Sequence, residues 1–204
     1  MLPLDTSKLR REGGFIKKYE IHGKIIGFLG RVTWEKGLEY LVAAMPNILE
    51  QEDAVLVIAG ESENVAGGRK ESAKHDLIKL SKKLGIRNKV RFLGFLSEED
   101  KNKFYSACSA FVVPSTGSLE SFNYTQVEAM LCGTPVIVTN LPGVRVMVTK
   151  IKGGLIVPIK NSKAIADAAI KILSNRKKYV VERKKLLKIF GIERSVNPYE
   201  KLFR

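Results

Sequence analysis

Short apolar runs alternate with longer amphipathic stretches along the chain. The apolar runs, which predict buried strands, cover residues 24–30, 54–60, 89–94, 110–114, 135–139 and 154–158. The stretches with helical apolar spacing, which predict helices, lie near residues 36–51, 72–84, 97–108, 124–132, 143–149 and 162–173. Because the strand runs are continuously apolar, both faces of the sheet must be covered. The pattern predicts an α/β fold with a Rossmann-like, doubly wound parallel sheet of about six strands.

Such a sheet binds ligands in the loops that follow the carboxyl ends of its strands. The first of these loops reads GRVTWEKG, and its Arg31 and Lys36 place two cations near the sheet edge. A planar guanidinium and a compact ammonium together suit a diphosphate. The loop has neither the Gly-Lys-Ser/Thr of a P-loop nor a GxGxxG dinucleotide motif. Taken alone, it also fits an ordinary turn with two solvated cations.

The loop after the fourth strand leads into a helix start that can bind an anion. Asn123 is a good N-cap residue, and Gln126, three residues on, is predicted to complete an exchange like that of a capping box. The helix is then expected to begin at about Tyr124. Its free backbone N–H groups, over residues 123–125, point towards the sheet edge and favour an anion there.

Two glutamates flank this helix start. Glu120 lies in the loop and Glu128 lies in the helix, eight residues later. Carboxylates beside a phosphate site are poorly suited to the phosphate but well suited to accepting hydrogen bonds from sugar hydroxyl groups on either side of it. The alternative is a solvated loop residue and an ordinary surface residue of the helix.

Composition describes a folded protein of 204 residues with a net charge of +14, 45% hydrophobic residues and two cysteines. No apolar run approaches the roughly 20 residues that a membrane span needs, and no signal peptide is evident, so a cytoplasmic location is expected. Cys108 and Cys132 have no metal-like spacing and are expected to be reduced core residues. Much of the positive charge lies in residues 69–89 and 175–194, where the apolar spacing favours the outer faces of surface helices.

Four stretches, taken in order, carry a family resemblance. They read GFLGRVTWEKGLEYLVAAM, VLVIAG, VRFLGFLSEEDKNKFYSACSAFVVPS and ESFNYTQVEAMLCGTPVIVTNLPGV. In this order they resemble the nucleotide-sugar-binding half of retaining glycosyltransferases of the two-domain GT-B type, the large family 4 group. The resemblance covers about residues 5–173, and the glutamate pair matches the family's E-x7-E motif.

The resemblance implies a role for each site residue. By it, Arg31 and Lys36 bind the donor diphosphate, Glu120 contacts hydroxyl groups of the transferred sugar, and Glu128 binds the ribose. The donor would be a UDP-, GDP- or ADP-sugar, with no further cofactor and no metal ion. The other residues implied in donor binding are Gly30, Phe95, Leu96, Phe122, Asn123, Tyr124 and Thr125. Of these, Phe95 and Leu96 would meet the base, and backbone groups at residues 122–124 would bind the sugar and distal phosphate.

Three departures from the family pattern stand out. Asn123 replaces the usual glycine, so its side chain either narrows the sugar pocket or adds a hydrogen bond. The second loop reads GESENVAGG, without the usual glycine at position 62. The acceptor-binding N-terminal domain is expected to be missing, because residues 4–10 resemble the segment that follows the interdomain linker.

The chain is accordingly divided into a linker and lead-in segment (1–23), a nucleotide-sugar-binding domain (24–175) and a basic helical segment (176–204). It is expected to be an excised part of an enzyme, half of a split enzyme or an orphan domain, inactive or weakly active by itself. Expected partners are the donor, a sugar or lipid-linked acceptor, the missing domain and an anionic membrane surface at which the protein is peripheral. A non-catalytic nucleotide-sugar-binding or regulatory module is the alternative. Nucleic-acid binding is disfavoured because few stacking aromatics lie among the basic residues.

Overall fold

The computed structural model describes residue 6 and residues 9–62, 72–117, 120 and 122–190. Within these residues the strands are β1 (Lys24–Leu29), β2 (Ala54–Ala59), β3 (Val90–Gly94), β4 (Cys108–Val113), β5 (Val136–Thr139) and β6 (Gly154–Val157). They form one sheet in the order β3-β2-β1-β4-β5-β6, and every neighbouring pair is parallel. The predicted six-stranded parallel sheet is confirmed. The second loop beyond Ser62 and the basic segment beyond Phe190 lie outside the described residues.

Helices connect these strands. They are α1 (Phe15–Lys18), α2 (Leu38–Leu49), α3 (Ala73–Lys83), α4 (Glu98–Ala107), α5 (Tyr124–Leu131), α6 (Pro142–Ile151), α7 (Ser162–Ser174) and α8 (Arg183–Phe190). The helix predicted to start at Lys36 starts at Leu38 instead. Residues 34–36 form a separate 3-10 turn, and Gly37 follows it in the left-handed region with φ of 63°, which interrupts the helical path.

The strand order reverses direction at β1. From β1 the chain adds β2 and β3 on one side, and then returns to add β4, β5 and β6 on the other. The loops after β1 and β4 therefore lead away from each other and leave a crevice between them, which is where open α/β sheets bind ligands. We call the edge at which all six strands end the carboxyl edge.

Two apolar layers cover the sheet. Helices α4, α5, α6 and α8 pack on one face together with buried residues of the lead-in segment, including Phe15 and Ile21. Helices α2, α3 and α7 pack on the other face. Strand β2, which has no exposed position, is buried by both layers. The two-sided cover that the continuous apolar runs predict is present.

Two glycines let the loops of the carboxyl edge pack closely together. A Cβ atom at Gly60 (φ 124°) would lie 2.0 Å from the Gly30 carbonyl oxygen. One at Gly37 would lie 2.3 Å from the Pro114 carbonyl oxygen. Both glycines adopt positive φ, which residues with a side chain rarely do. The loops after β1, β2 and β4 therefore form one packed surface.

Candidate donor-binding site

The first loop is fixed on both sides by backbone hydrogen bonds. Val32 N donates to the Glu61 carbonyl oxygen at 2.8 Å, in the loop after β2. On the other side, Thr116 N donates to the Glu35 carbonyl oxygen at 2.9 Å, in the loop after β4. The 3-10 turn that ends with Lys36 is therefore bound to the loop that carries Glu120.

Lys36 and Glu120 form an ion pair at the crevice. Lys36 Nζ lies 2.8 Å from Glu120 Oε2, and the two side chains are only 16% and 11% exposed. The residues are 84 positions apart in the chain. The structure thus brings together two residues that the sequence assigns to one ligand, and it pairs them with each other.

Glu120 has a second partner in Asn123. Asn123 Nδ2 donates to Glu120 Oε1 at 2.8 Å, so each carboxylate oxygen accepts from a different side chain. Burial raises the pKa of Glu120, but the Lys36 ammonium and the Asn123 amide outweigh it and leave that pKa below its usual value. The buried Ser115 hydroxyl is close enough to lower it further, although Ser115 Oγ makes no hydrogen bond of normal geometry with any described residue. The carboxylate is therefore ionised near neutral pH.

Asn123 also caps α5. Its Oδ1 accepts from Gln126 N at 3.2 Å and from Thr125 Oγ1 at 2.6 Å. The cap and the helix start at Tyr124 are as predicted. The reciprocal half of the capping exchange is wrong: Gln126 is fully buried, and its Nε2 donates to the Val144 carbonyl oxygen at 3.0 Å, at the start of α6. The amide binds there because that carbonyl group lies within the packed layer, where a buried donor needs an acceptor.

Arg31 is held less closely than Lys36. Its guanidinium lies 3.6 Å from Glu35, and the two side chains are 60% and 47% exposed. It stands on the same loop as Lys36, immediately after Gly30. An exposed pair of this kind contributes little to stability.

Phe95 and Leu96 follow β3 and differ in environment. The Phe95 side chain is 75% exposed, whereas Leu96 is 4% exposed and packs in the core. At the start of α5, the rings of Phe122 and Tyr124 meet edge to face with centroids 4.7 Å apart. Phe95, Leu96 and Phe122 stand in loops of the carboxyl edge and Tyr124 begins α5; of these four residues, only Phe95 presents a large apolar side chain to solvent.

Glu128 has a partner that the sequence did not reveal. The Tyr105 hydroxyl group, from α4, donates to Glu128 Oε2 at 2.6 Å. The apolar spacing of α4 could have indicated that Tyr105 is buried, and a buried tyrosine needs a hydrogen-bond acceptor. Nothing in the sequence pairs it with a residue 23 positions away.

A metal-binding cluster and a membrane-spanning helix are both absent from the described residues. Histidine, cysteine, aspartate and glutamate residues form no group of three or more with a geometry for a metal ion in this part of the chain. Within the same residues, every helix is too short or too polar to cross a membrane.

The fold and the crevice define a class of sugar-transferring proteins to which the chain is similar. It is 37% identical over 164 residues to an uncharacterized glycosyltransferase of Methanocaldococcus jannaschii, covering 79% of this chain and 39% of that protein. It is 34% identical over 171 residues to D-inositol 3-phosphate glycosyltransferase of Corynebacterium jeikeium, covering 82% of this chain and 38% of that protein. The model of the family described as glycosyl transferases group 1 matches residues 15–186. The chain belongs to this family.

Solved structures place the chain within the GT-B fold. Sucrose-phosphate synthase of Thermosynechococcus elongatus superimposes with a TM-score of 0.81 and 27% identity, covering 98% of this chain and 51% of that one. The C-terminal domain of a group 1 glycosyltransferase of Francisella tularensis superimposes with a TM-score of 0.76 and 25% identity, covering 91% of this chain and 97% of that domain. HepE of Anabaena, solved with UDP and glucose, superimposes with a TM-score of 0.81 and 19% identity, covering 98% of this chain and 55% of that one. The chain therefore corresponds to a C-terminal GT-B half and spans about two fifths of its curated relatives.

Proposed function

We propose that this chain is the donor-binding half of a retaining family 4 glycosyltransferase of the hexosyltransferase class, which moves a sugar from a nucleotide-diphosphate sugar to an acceptor. The contact of Lys36 with Glu120, at 2.8 Å beside the capped start of α5, carries the proposal. This contact places a cation that can bind phosphate next to a carboxylate that can accept hydrogen bonds from sugar hydroxyl groups, at the point where the diphosphate and the sugar of a donor would meet.

The donor would bind across the crevice. Arg31, Lys36 and the backbone N–H groups of residues 122–124 would bind its diphosphate, and Glu120 would accept from hydroxyl groups of the transferred sugar. Gly30 allows the loop backbone to approach the phosphates, and Thr125 stands in the first turn of α5. Glu128 would bind the ribose, and the loop of Phe95 and Leu96 would meet the base.

The proposed chemistry follows from the charges. Breaking the anomeric bond develops positive charge on the sugar and negative charge on the departing nucleoside diphosphate. The two cations and the α5 N-terminus would stabilise the leaving group in a site that is partly shielded from water. Glu120, paired with Lys36, would stay ionised next to the developing positive charge. No residue is assigned as a nucleophile.

Transfer would need an acceptor site that a second domain supplies. A sugar or lipid-linked acceptor would bind to an N-terminal GT-B domain, on the same full-length protein or on a separate chain. The partial coverage of the two-domain structures supports this. We expect this half alone to bind donor and to transfer it poorly or not at all.

Calorimetry with UDP-, GDP- and ADP-sugars tests donor binding. UDP-sugars come first, because HepE, which shares the fold, was solved with UDP and glucose. Saturable binding of one donor, strongly weakened by Lys36→Ala, is the expected result. A folded chain that binds none of the three would overturn the proposal. Efficient transfer by the isolated chain would overturn its half-enzyme part. Donor binding without transfer, even when an acceptor domain is added, would favour the regulatory module instead.

We propose further that a lysine-rich surface docks peripherally on an anionic bilayer. This lysine surface comprises the exposed side chains of Lys150, Lys152, Lys177, Lys178, Lys184 and Lys185. Two of the segments that carry these lysines are packed together: Lys185 Nζ donates to the Ile151 carbonyl oxygen at 3.4 Å, and Gly153 lies against Val181. Within the described residues, none of the six forms an ion pair, whereas Lys18, Lys24 and Lys89 each do.

Vesicle co-sedimentation tests this docking. Each lysine close to an anionic bilayer contributes about 1 kcal/mol of attraction. We expect binding to vesicles that contain phosphatidylglycerol and none to pure phosphatidylcholine, with the lysine-to-serine variant at positions 177 and 178 binding more weakly. Equal retention on both vesicle types, or retention on nucleic acid only, would contradict the lipid assignment.

A further inference from the structure

Tyr105 makes a buried contact with the carboxylate that the proposed function assigns to the ribose. Its hydroxyl group donates to Glu128 Oε2 at 2.6 Å. The Tyr105 side chain is fully buried, whereas Glu128 is only partly buried. The bond thus joins an interior group of α4 to a residue of α5 that a ligand can reach.

The position of the Tyr105 ring is fixed by its surroundings. The ring meets Phe111 of β4 edge to face, with centroids 5.3 Å apart and planes at 69°. Phe104 packs on it at 6.0 Å. The backbone carbonyl oxygen of Tyr105 accepts from Thr134 Oγ1 at 2.6 Å. Because the core allows the ring little freedom, the hydroxyl group defines where Glu128 Oε2 must lie.

The Tyr105 hydroxyl group is held in its protonated, hydrogen-bond-donating form by its surroundings. Burial raises its pKa well above the usual value, and the adjacent Glu128 carboxylate raises that pKa further. Among the described residues none donates a hydrogen bond to the other oxygen, Glu128 Oε1, so this part of the chain leaves that oxygen open as an acceptor. One oxygen of Glu128 is bound to the protein, and the other is available to a ligand.

We propose that Tyr105 is a positioning residue that fixes Glu128, so that Glu128 Oε1 accepts from a ribose hydroxyl group and the site prefers ribonucleotides to deoxyribonucleotides. The inference rests on the proposed function, because it needs a nucleotide in the crevice. It adds a residue outside the sequence motif, on a different helix, whose effect should appear only where the ligand carries a ribose hydroxyl group.

Tyr105→Phe, with Tyr19→Phe as its matched control, tests the inference. Tyr19 also donates to a carboxylate, Asp100 Oδ2 at 3.2 Å, on the same helix α4. Calorimetry would give the dissociation constants of UDP, GDP and ADP and of their 2′-deoxy and 3′-deoxy forms. In the wild-type chain we expect loss of the relevant hydroxyl group to weaken binding about tenfold, as for a hydrogen bond to a charged group. Tyr105→Phe should reduce the ratio of the deoxy to the ribo dissociation constant to about twofold, and Tyr19→Phe should leave this ratio unchanged.

A double-mutant cycle with Glu128→Gln separates positioning from general loosening. If Tyr105 acts through Glu128, adding Tyr105→Phe to the Glu128→Gln variant should not change the ratio further. Equal weakening of ribo and deoxy ligands by Tyr105→Phe, or an unchanged ratio, would overturn the inference and leave donor binding intact. A wild-type chain that binds ribo and deoxy nucleotides equally well would also overturn the inference and leave donor binding intact. A wild-type chain that binds no nucleotide fails the proposed function itself.

Discussion

Two cationic regions of the molecule differ in how their charges are held. At the carboxyl edge, Lys36 is largely buried and bonded to Glu120, whose other oxygen is bonded to Asn123. On the lysine surface, six exposed side chains form no ion pair among the described residues. In the first region each charged group is held at a fixed position by its hydrogen bonds, whereas the second region supplies only an excess of positive charge. The net charge of +14 includes both regions and does not reveal this difference.

The difference separates two kinds of recognition. A sugar is recognised by donors and acceptors at fixed positions, and a buried network such as that of Lys36, Glu120 and Asn123 can provide them. A bilayer or another extended anionic surface is recognised by long-range attraction, which salt screens over about 8–10 Å. We therefore expect substitutions at the carboxyl edge to have large, ligand-specific effects, and substitutions on the lysine surface to leave donor binding unchanged.

The largest expected effect is on the packing that positions Lys36. Gly37→Ala would place a Cβ atom 2.3 Å from the Pro114 carbonyl oxygen, at a residue with positive φ. We expect it to lower the free energy of unfolding by about 3 kcal/mol, from the clash together with the backbone strain. Urea denaturation measures this change.

Gly133→Ala is the matched control for that substitution. Gly133 also has positive φ, at 80°, but a Cβ atom there would meet nothing within 4 Å. Strain alone should cost about 1 kcal/mol. Equal losses in the two variants would show that close packing of the loops after β1 and β4 does not matter.

Removing the Lys36 charge should have the next largest effect. Lys36→Met deletes the cation of the ion pair and keeps most of the side-chain volume. We expect donor affinity to fall about 100-fold, as for loss of a charge-assisted bond to phosphate worth about 2–3 kcal/mol. Lys163→Met, which breaks an exposed pair with Asp167 at 2.9 Å, is the control and should not affect affinity.

Acid should reduce the stability difference between the wild-type chain and Lys36→Met. The pKa of Glu120 lies below its usual value of 4.5, so its contribution is present above that value and is lost as pH falls through the folded pKa. Lys36→Met removes one of the causes that lower the pKa of Glu120, so that pKa rises relative to the wild-type chain and less of the stabilisation remains at neutral pH. The difference in unfolding free energy, about 2 kcal/mol at pH 7 as for loss of a hydrogen bond to a charged group, should shrink towards pH 4. A difference that does not change with pH would mean that the pair does not hold Glu120 ionised.

The sequence was a good guide to the fold, because continuous apolar runs define buried strands without reference to distant residues. The six strands and the N-cap at Asn123 were predicted for this reason, since both depend on neighbours in the chain. The grouping of Lys36 with Glu120 was predicted only through the family resemblance. Their direct bond was not, because it depends on how two loops 84 residues apart pack.

Side-chain partners set by tertiary packing were the part that the sequence did not predict. Gln126 has the right spacing for a capping exchange, yet its amide bonds to Val144 across to α6. Tyr105 bonds to Glu128 because α4 and α5 pack side by side. In both cases a buried polar group takes the acceptor that the packed layer offers, and local spacing contains no information about that layer.

A smaller effect is expected from the Asn123 amide. Asn123→Ser keeps a cap for Gln126 N but removes the donor to Glu120 Oε1. We expect donor affinity to fall about fivefold, for one hydrogen bond worth about 1 kcal/mol, with little change in stability. Asn161 is the control, because its Oδ1 caps α7 in the same way, accepting from Ala164 N at 2.9 Å, with no carboxylate involved. Asn161→Ser should leave affinity unchanged, and tighter binding by Asn123→Ser would mean instead that the amide obstructs the sugar pocket.

The smallest effect on the donor site is expected from the lysine surface. The double substitution Lys177→Ser and Lys178→Ser removes two exposed charges that belong to no ion pair in the described residues. Donor affinity and unfolding free energy should each change by less than about 0.5 kcal/mol, while vesicle binding weakens and becomes less sensitive to salt. Calorimetry and co-sedimentation on the same preparation make the contrast direct. If these two substitutions weakened donor binding as much as Asn123→Ser does, charge at a distance would contribute to the site, and the separation of the two regions would fail.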